Sequence, residues 1–388
     1  MKTILSILLL VTTFTAVLPA QREAVQFSVQ SIADGDWTNP KIWQPQRLPK
    51  AGDRVLVSSR TSVRFDAKTT PVIRLIQVAG TLRFARDRST ELNVCLLKVQ
   101  AGNKCTERGF ACDFNSLKPN GEPNAQPGKS LPTLEVGTQQ NPIPAVHTAR
   151  IRLHYSEGMD KKDAPALVCC SSRMELHGSP LERPWVKLGA TCQPGDAKIV
   201  VNENVSDWRV GDEIIVTASK KVRNMGTYRD EEVGTEERIV KAIDGHSITL
   251  DKPLRLEHSG EGEFRSEVAN LSRNVIVESA DPDGVRGHTM YHRHSKGGIS
   301  YARFAHLGKE GELGRYPIHF HLVGETMRGS AVLGVAVVDS HNRWVTIHGT
   351  QYLLVRDCVG YKSVGHGYFL ENGSEVFNLL DRNLGVQA

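Results

Sequence analysis

No stretch of this 388-residue chain shows sustained helical periodicity, which excludes a helical bundle and argues against alternating β/α layers. It also lacks any basic run interleaved with aromatics, the pattern expected of a nucleic-acid binder. The formal net charge of +5 is too mild to name a partner, although it eases the approach of an anionic polymer. The seven cysteines (95, 105, 112, 169, 170, 192 and 358) do not have the spacing of a zinc module. Beyond the first twenty residues there is no apolar run that could span a bilayer.

What is present is β-forming text cut by turns. There are 34 glycines and 18 prolines, and short Val/Ile/Leu runs end in Asp-Gly, Asn-Gly or Gly-Asp pairs. Residues 1–20 combine Lys2, an apolar run and a small residue at Ala20, the layout of a secretory leader. The cysteines suit the oxidising compartment this implies. Cys105 and Cys112 flank a short loop and could bridge, as could Cys95 or Cys192 with Cys169 or Cys170; the odd number leaves one over. Asn204, Asn270 and Asn372 open sequons for glycan attachment.

Residues 21–145 read as a compact β module interrupted by a long loop around Cys105 and Cys112. Residues 146–273 read as a β-rich linking region with a small β subdomain, in which Asp244-Gly245 marks a hairpin turn. From residue 274 to 388 strands follow one another without two-residue hairpin turns. "TQYLLVRDCVGY" and "SEVFNLLDRNLGV" resemble each other, with Gly360 and Gly385 separated by 385 − 360 = 25 residues. A β-only repeat of that length predicts stacked coils of a right-handed parallel β-helix, a pectate-lyase-like solenoid whose last coils the chain leaves incomplete.

Within this solenoid, "GRYPIHFHLVG" (Gly314 to Gly324) places two histidines in an apolar strand. Alternation across a strand sends Tyr316, Ile318, Phe320 and Leu322 into the core and Arg315, His319 and His321 outward together. The same rule turns His348 outward in "WVTIHGT". A neighbouring coil could bring it alongside, with His288 and His366 as further candidates for one divalent metal ion of unknown identity. The competing reading is a ladder of stacked histidines bonded to one another and to water.

Trp37, Trp43, Pro49, Gly52-Asp53, "VAGTLRF" and "LEVGT" resemble the eight-glycine domain of the cell-migration-inducing hyaluronidase (CEMIP) family, shared with its membrane-anchored relative and, more distantly, the fibrocystins. "MELHGSPLERPWVKL", "WRVGDEIIV", "LSRNVIVES", "LGRYPIHFHLVG", "LLVRDCVGYKSVGHGYFLENG" and "DRNLG" resemble the β-helix of the same family, in the same order. The resemblance implies an all-β protein, an eight-glycine domain followed by the β-helix. It further implies a secreted enzyme that binds and depolymerises hyaluronan or a similar anionic polysaccharide, with no nucleic-acid partner and no membrane span after leader removal. The alternatives are a non-catalytic carbohydrate-binding or matrix protein and a polysaccharide lyase.

Hydrolysis of a glycoside needs two carboxyl groups, for which Glu371, Asp381 and Asp357 are the nearest candidates in sequence. Each could equally be a turn residue accepting backbone hydrogen bonds. Elimination at a uronate would instead use Arg315 or a metal on the carboxylate, with Tyr316, a histidine or Lys362 as base.

Overall fold

The computed structural model describes residues 24–110, 112–113, 130–219 and 234–388. The leader expected over residues 1–20 and most of the loop after Cys112 lie outside them. The described residues are almost wholly β, and no helix among them is long and apolar enough to cross a membrane.

Parallel pairing generates three faces, each a stack of short strands. One face runs through Ala149–Leu153, Val275–Ser279, Ala302–Ala305, Ala336–Ser340, Val359–Ser363 and Leu384–Val386. A second runs through Ala166–Cys170, His288–His292, Ile318–Gly324, Val345–Thr350 and Tyr368–Leu370. The third runs through Thr133–Val136, Arg173–His177, Ile299–Ser300, Ala331–Leu333, Leu354–Arg356 and Leu379–Asp381. The chain visits the faces in that order in each coil. The long strand Thr90–Val99 joins the first two, its first half pairing with Ala149–Leu153 and its second with Ala166–Cys170. This is a parallel β-helix, as expected.

Parallel ladders also extend N-terminally of residue 274, through Ile73–Val78 and Arg54–Val57 to Val29–Ser31. One apolar core accordingly runs from Val29 to Cys358. Trp37 and Trp43 are buried in it, edge to face with centroids 5.0 Å apart, as befits indoles in a small β layer.

Between Arg173–His177 and Val275–Ser279 the chain leaves the solenoid to form a six-stranded antiparallel sheet with its own core. Its hairpin turns at Asp244-Gly245, with Asp244 facing Ser247. The subdomain lies against the first face, where Ile215, Ala269 and Leu271 pack on Ala336, Val338, Val359 and Tyr361. Lys362 is therefore an ion-pair partner of Glu237 in this subdomain, at 3.0 Å. Asn270 is buried there and donates to Asp212, so its sequon is closed to a glycan in the folded chain, whereas Asn204 and Asn372 are exposed.

The cysteines pair differently from the expectation. Cys112 bonds Cys170, while Cys95, Cys105, Cys169, Cys192 and Cys358 are buried thiols. Alternation separates the adjacent pair: Cys169 belongs to the core, and Cys170 faces out, where a loop can reach it.

The 25-residue repeat has a steric basis. Gly360 lies beside Gly385 in register, and the buried Trp344 ring covers both. A Cβ on Gly360 would sit 2.1 Å from Trp344 Cε3, one on Gly367 2.7 Å and one on Gly385 3.0 Å. Gly360→Ala should therefore overpack this coil and cost about 1–3 kcal/mol, read as a lowered urea midpoint with unchanged slope. Gly52→Ala, where a Cβ meets nothing within 4 Å but φ is +78°, tests backbone strain without overpacking.

Candidate metal centre

Coil register on the second face produces a column of polar residues. Cys170 pairs with His292, His292 with His321, and His321 with His348. Ile347 pairs with Leu370, so Glu371 continues the column beside His348. Neighbouring strands are about 4.8 Å apart, and the rings follow that spacing: 4.9 Å between His292 and His321, 4.7 Å between His321 and His348. On the inner side of the same strands Tyr291 stacks on Phe320 at 5.0 Å.

His319, His321 and His348 come together as expected, each offering a ring nitrogen within 4.8 Å of the others. His321 Nδ1 lies 3.3 Å from His319 Nε2 and 3.1 Å from His348 Nδ1. His319 Nδ1 is 2.9 Å from the Gly314 carbonyl, which can only accept; that nitrogen therefore carries the proton, and Nε2 presents a lone pair to the cluster. A single proton on His321 Nδ1 cannot serve both of its close nitrogens. A cation among the three rings can. Metal–nitrogen bonds of about 2.0–2.1 Å at tetrahedral angles place ligand nitrogens about 3.3 Å apart, close to the separations observed. Glu371 Oε2 adds a carboxylate 3.8 Å from His348 Nδ1 and 4.0 Å from His319 Nε2, and this buried oxygen has no hydrogen bond. Three imidazoles, with a carboxylate at their edge, suit zinc or a neighbouring divalent ion.

Several expectations are corrected by the packing. His319 points away from the core but not to solvent, since the Gly314 carbonyl and the Tyr316 ring cover it and leave it 1% exposed. Leu322 does not enter the core: its φ of +54° reverses the alternation, so Val323 is buried and Leu322 exposed. His288 shares the face but is buried apart from the cluster, its Nε2 2.9 Å from the Gly109 carbonyl. His366 is exposed and stacks on Phe369, outside the converging set.

The substrate-binding candidates are engaged elsewhere. Arg315 stacks over Phe110 at 3.8 Å and pairs with Asp163 at 3.3 Å. Tyr316 is fully buried, its hydroxyl without a hydrogen bond; burial raises its pKa above the ordinary 10 and keeps it protonated. Of the three carboxylates, only Glu371 joins the histidines. Asp357 accepts both nitrogens of Arg382 at 2.9 Å, and Asp381 pairs with Arg356 at 2.8 Å, both on the third face.

Three residues of the site had no assigned part in the sequence reading. Arg343 reaches Glu371 Oε2 at 3.2 Å and lies over the Phe369 and Tyr316 rings. His292 stacks beneath His321 and contacts Cys112 Sγ at 2.8 Å. Phe110 tilts against His321 at 5.6 Å, held over the column by the adjacent Cys112–Cys170 bond. Alternation within "GHTMYHRH" would have turned His292 outward with His288, but only the register shows which of them stands beside His321.

Burial, followed by the charge on His348, pushes the His321 pKa down to about 4. Burial and His321 push His292 down to about 3, and burial lowers His319 well below its ordinary value. An unfolded imidazole titrates near ~6.5, so at intermediate pH the unfolded chain binds protons that the folded chain refuses. Stability is thus complete above ~6.5 and declines as pH falls toward the folded values. His321→Asn should flatten this decline in unfolding measured across pH, and the His321 ring in the parent should titrate near 4 by NMR.

Comparison with known proteins agrees with this architecture. Residues 42–189 match the G8 domain and residues 284–388 the CEMIP beta-helix, so both resemblances read from the sequence hold. Human fibrocystin-L is 26% identical over 90% of this chain, and communication mutant protein F of Dictyostelium discoideum is 33% identical over 90%. The chain spans 9% of the former and 29% of the latter. Among solved structures, the tailspike of Acinetobacter baumannii bacteriophage AP22, in complex with capsular saccharide, aligns over 91% of this chain and 46% of its own, with 8% identity and a TM-score of 0.23. A score that low carries no argument about function.

Proposed function

We propose that this chain, which carries a G8 domain and a CEMIP-type β-helix, is a secreted protein that binds and depolymerises an anionic glycosaminoglycan, hyaluronan first, at the His319–His321–His348–Glu371 cluster. The observation that carries the reading is the convergence of three imidazole nitrogens beside a carboxylate oxygen that Arg343 holds at 3.2 Å. A divalent ion held there would supply a Lewis acid able to withdraw charge from a uronate carboxylate or a bound water. His319, His321 and His348 would hold it. Gly314 fixes the His319 tautomer, and Arg343 orients Glu371.

Glu371 and His348 are about one-fifth exposed, within reach of a polysaccharide. We assign proton transfer at the scissile sugar to Glu371. Direct hydrolysis by two carboxylates is disfavoured because Asp357 and Asp381 lie on another face in ion pairs with arginines. That single-carboxylate arrangement gives weight to elimination at the uronate as the second reading, in which Glu371 removes the proton beside a neutralised carboxylate.

High-molecular-weight hyaluronan incubated with the parent chain should shorten on size analysis. An unsaturated uronate at the new ends marks elimination, and its lack marks hydrolysis. His319→Ala/His321→Ala should remove one equivalent of bound zinc or its divalent substitute and reduce cleavage at least 100-fold, while keeping the β-sheet circular dichroism. A double variant that binds metal and cuts like the parent makes the histidines a structural ladder. A parent that binds hyaluronan without shortening it leaves a carbohydrate-binding protein.

A further inference from the structure

On the third face, away from the histidine column, Glu175, His177 and Ser300 form a separate chain of hydrogen bonds. His177 and Ser300 are lateral neighbours in adjacent coils. His177 Nε2 is 2.8 Å from Glu175 Oε2, and His177 Nδ1 is 2.6 Å from Ser300 Oγ. The protonation pattern follows from donor chemistry. Burial pushes the Glu175 carboxyl up, but its bonds with His177 and Arg173 outweigh burial and hold it ionised, below its ordinary value. An ionised carboxylate only accepts, so Nε2 carries a proton. In the neutral imidazole Nδ1 is then a bare lone pair, and the Ser300 hydroxyl at 2.6 Å donates into it. A serine hydroxyl hydrogen-bonded to an imidazole that a half-buried carboxylate orients is an activated nucleophile.

The carboxylate is itself anchored, accepting from the Gly298 backbone N–H at 2.9 Å and from Arg173 at 2.7 Å. Ser300 and His177 line a groove of about 350 Å³, together with Gln139, Gln140, Ala331 and Leu333. Gln139 and Gln140 carry amide N–H donors for a carbonyl oxygen, and Ala331 and Leu333 are apolar neighbours for a short acyl group.

We propose that Ser300, His177 and Glu175 constitute a second catalytic site, hydrolysing short acyl esters of polar alcohols such as O-acetylated sugars. Ser300 Oγ bonds to the ester carbonyl carbon while its proton passes to His177 Nδ1. The bond from that carbon to the alcohol oxygen breaks, and the alcohol leaves with the proton. Water then adds to the acyl-serine, giving its proton to the same nitrogen, which returns it to Ser300 as the carboxylic acid departs. No further reactant is needed.

The test uses the full chain with a fluorophosphonate probe, peptide mass mapping and 4-nitrophenyl acetate turnover. Ser300 should be phosphonylated in the parent. Ser300→Ala should abolish that adduct and lower turnover at least 100-fold, with metal uptake at His319, His321 and His348 unchanged. Glu175→Gln should slow adduct formation at Ser300 at least tenfold by releasing the imidazole tautomer. In Ser300→Cys the thiol beside His177 should alkylate with iodoacetamide at a pH where a free cysteine is inert, a readout that does not depend on esterase turnover. Three results overturn the proposal and make the three residues a polar stitch between coils. They are a parent unlabelled at Ser300, turnover unchanged in Ser300→Ala, and a thiol in Ser300→Cys that reacts no faster than free cysteine.

Discussion

Lateral register between coils is the constraint on which both candidate sites rest. In a parallel ladder, residues at equal height in successive strands share a face about 4.8 Å apart. One histidine per coil at a fixed height therefore becomes a column without any loop having to position it. The second face supplies His292, His321 and His348 in this way and ends the column in Glu371. His319 stands outside the column, two residues before His321 on the same face. A one-residue slip would turn all four rings into the core. What prevents the slip is the inner side of the same strands, where Tyr291, Phe320 and Ile347 fill the apolar interior.

A column of imidazoles on an open sheet would be wet and would titrate as ordinary histidines do. Here the column is roofed. Gly314, with φ at +80°, lets its segment turn over the strand so closely that a Cβ would meet Phe110 at 2.4 Å. Phe110 in turn lies on His321 beneath Arg315. The Cys112–Cys170 bond ties this cover to the column's first member. Burial under the cover is what lowers the histidine pKa values, and neutral rings are the form that can ligate a cation. The disulfide therefore acts on the chemistry of the site indirectly, by holding in place the residues that exclude water from it.

Much of this was legible in the sequence because alternation and repetition are local. Period two separated Ile318 and Phe320 from His319 and His321, and the Gly360 to Gly385 spacing gave the coil length that Trp344 enforces. The failures fall where structure depends on contacts distant in sequence. His319 is covered by a loop, and nothing in "YPIHFH" announces a roof. Asp357 and Asp381 belong to corners on another face, which coil height but not residue type decides. Leu322 departs from alternation because a left-handed residue ends the regular strand, a backbone event that leucine does not advertise. Cys112 finds Cys170 over 58 residues of chain, a pairing that spacing alone could not choose.

The two polar sites also differ in the balance of imidazoles and carboxylates in each, and that difference bears on what each can do. Where His319, His321 and His348 meet, with Glu371 at the edge, burial lowers the pKa of His319 and His321 and leaves lone pairs for a cation. Around His177 the stoichiometry is one imidazole to one carboxylate. Glu175 accepts from two further donors, Gly298 and Arg173, besides the histidine. It fixes the tautomer and leaves one nitrogen facing a hydroxyl. The same solenoid geometry, with residue types exchanged at two or three heights, thus yields a site suited to a metal ion on one face and a site suited to a nucleophile on another.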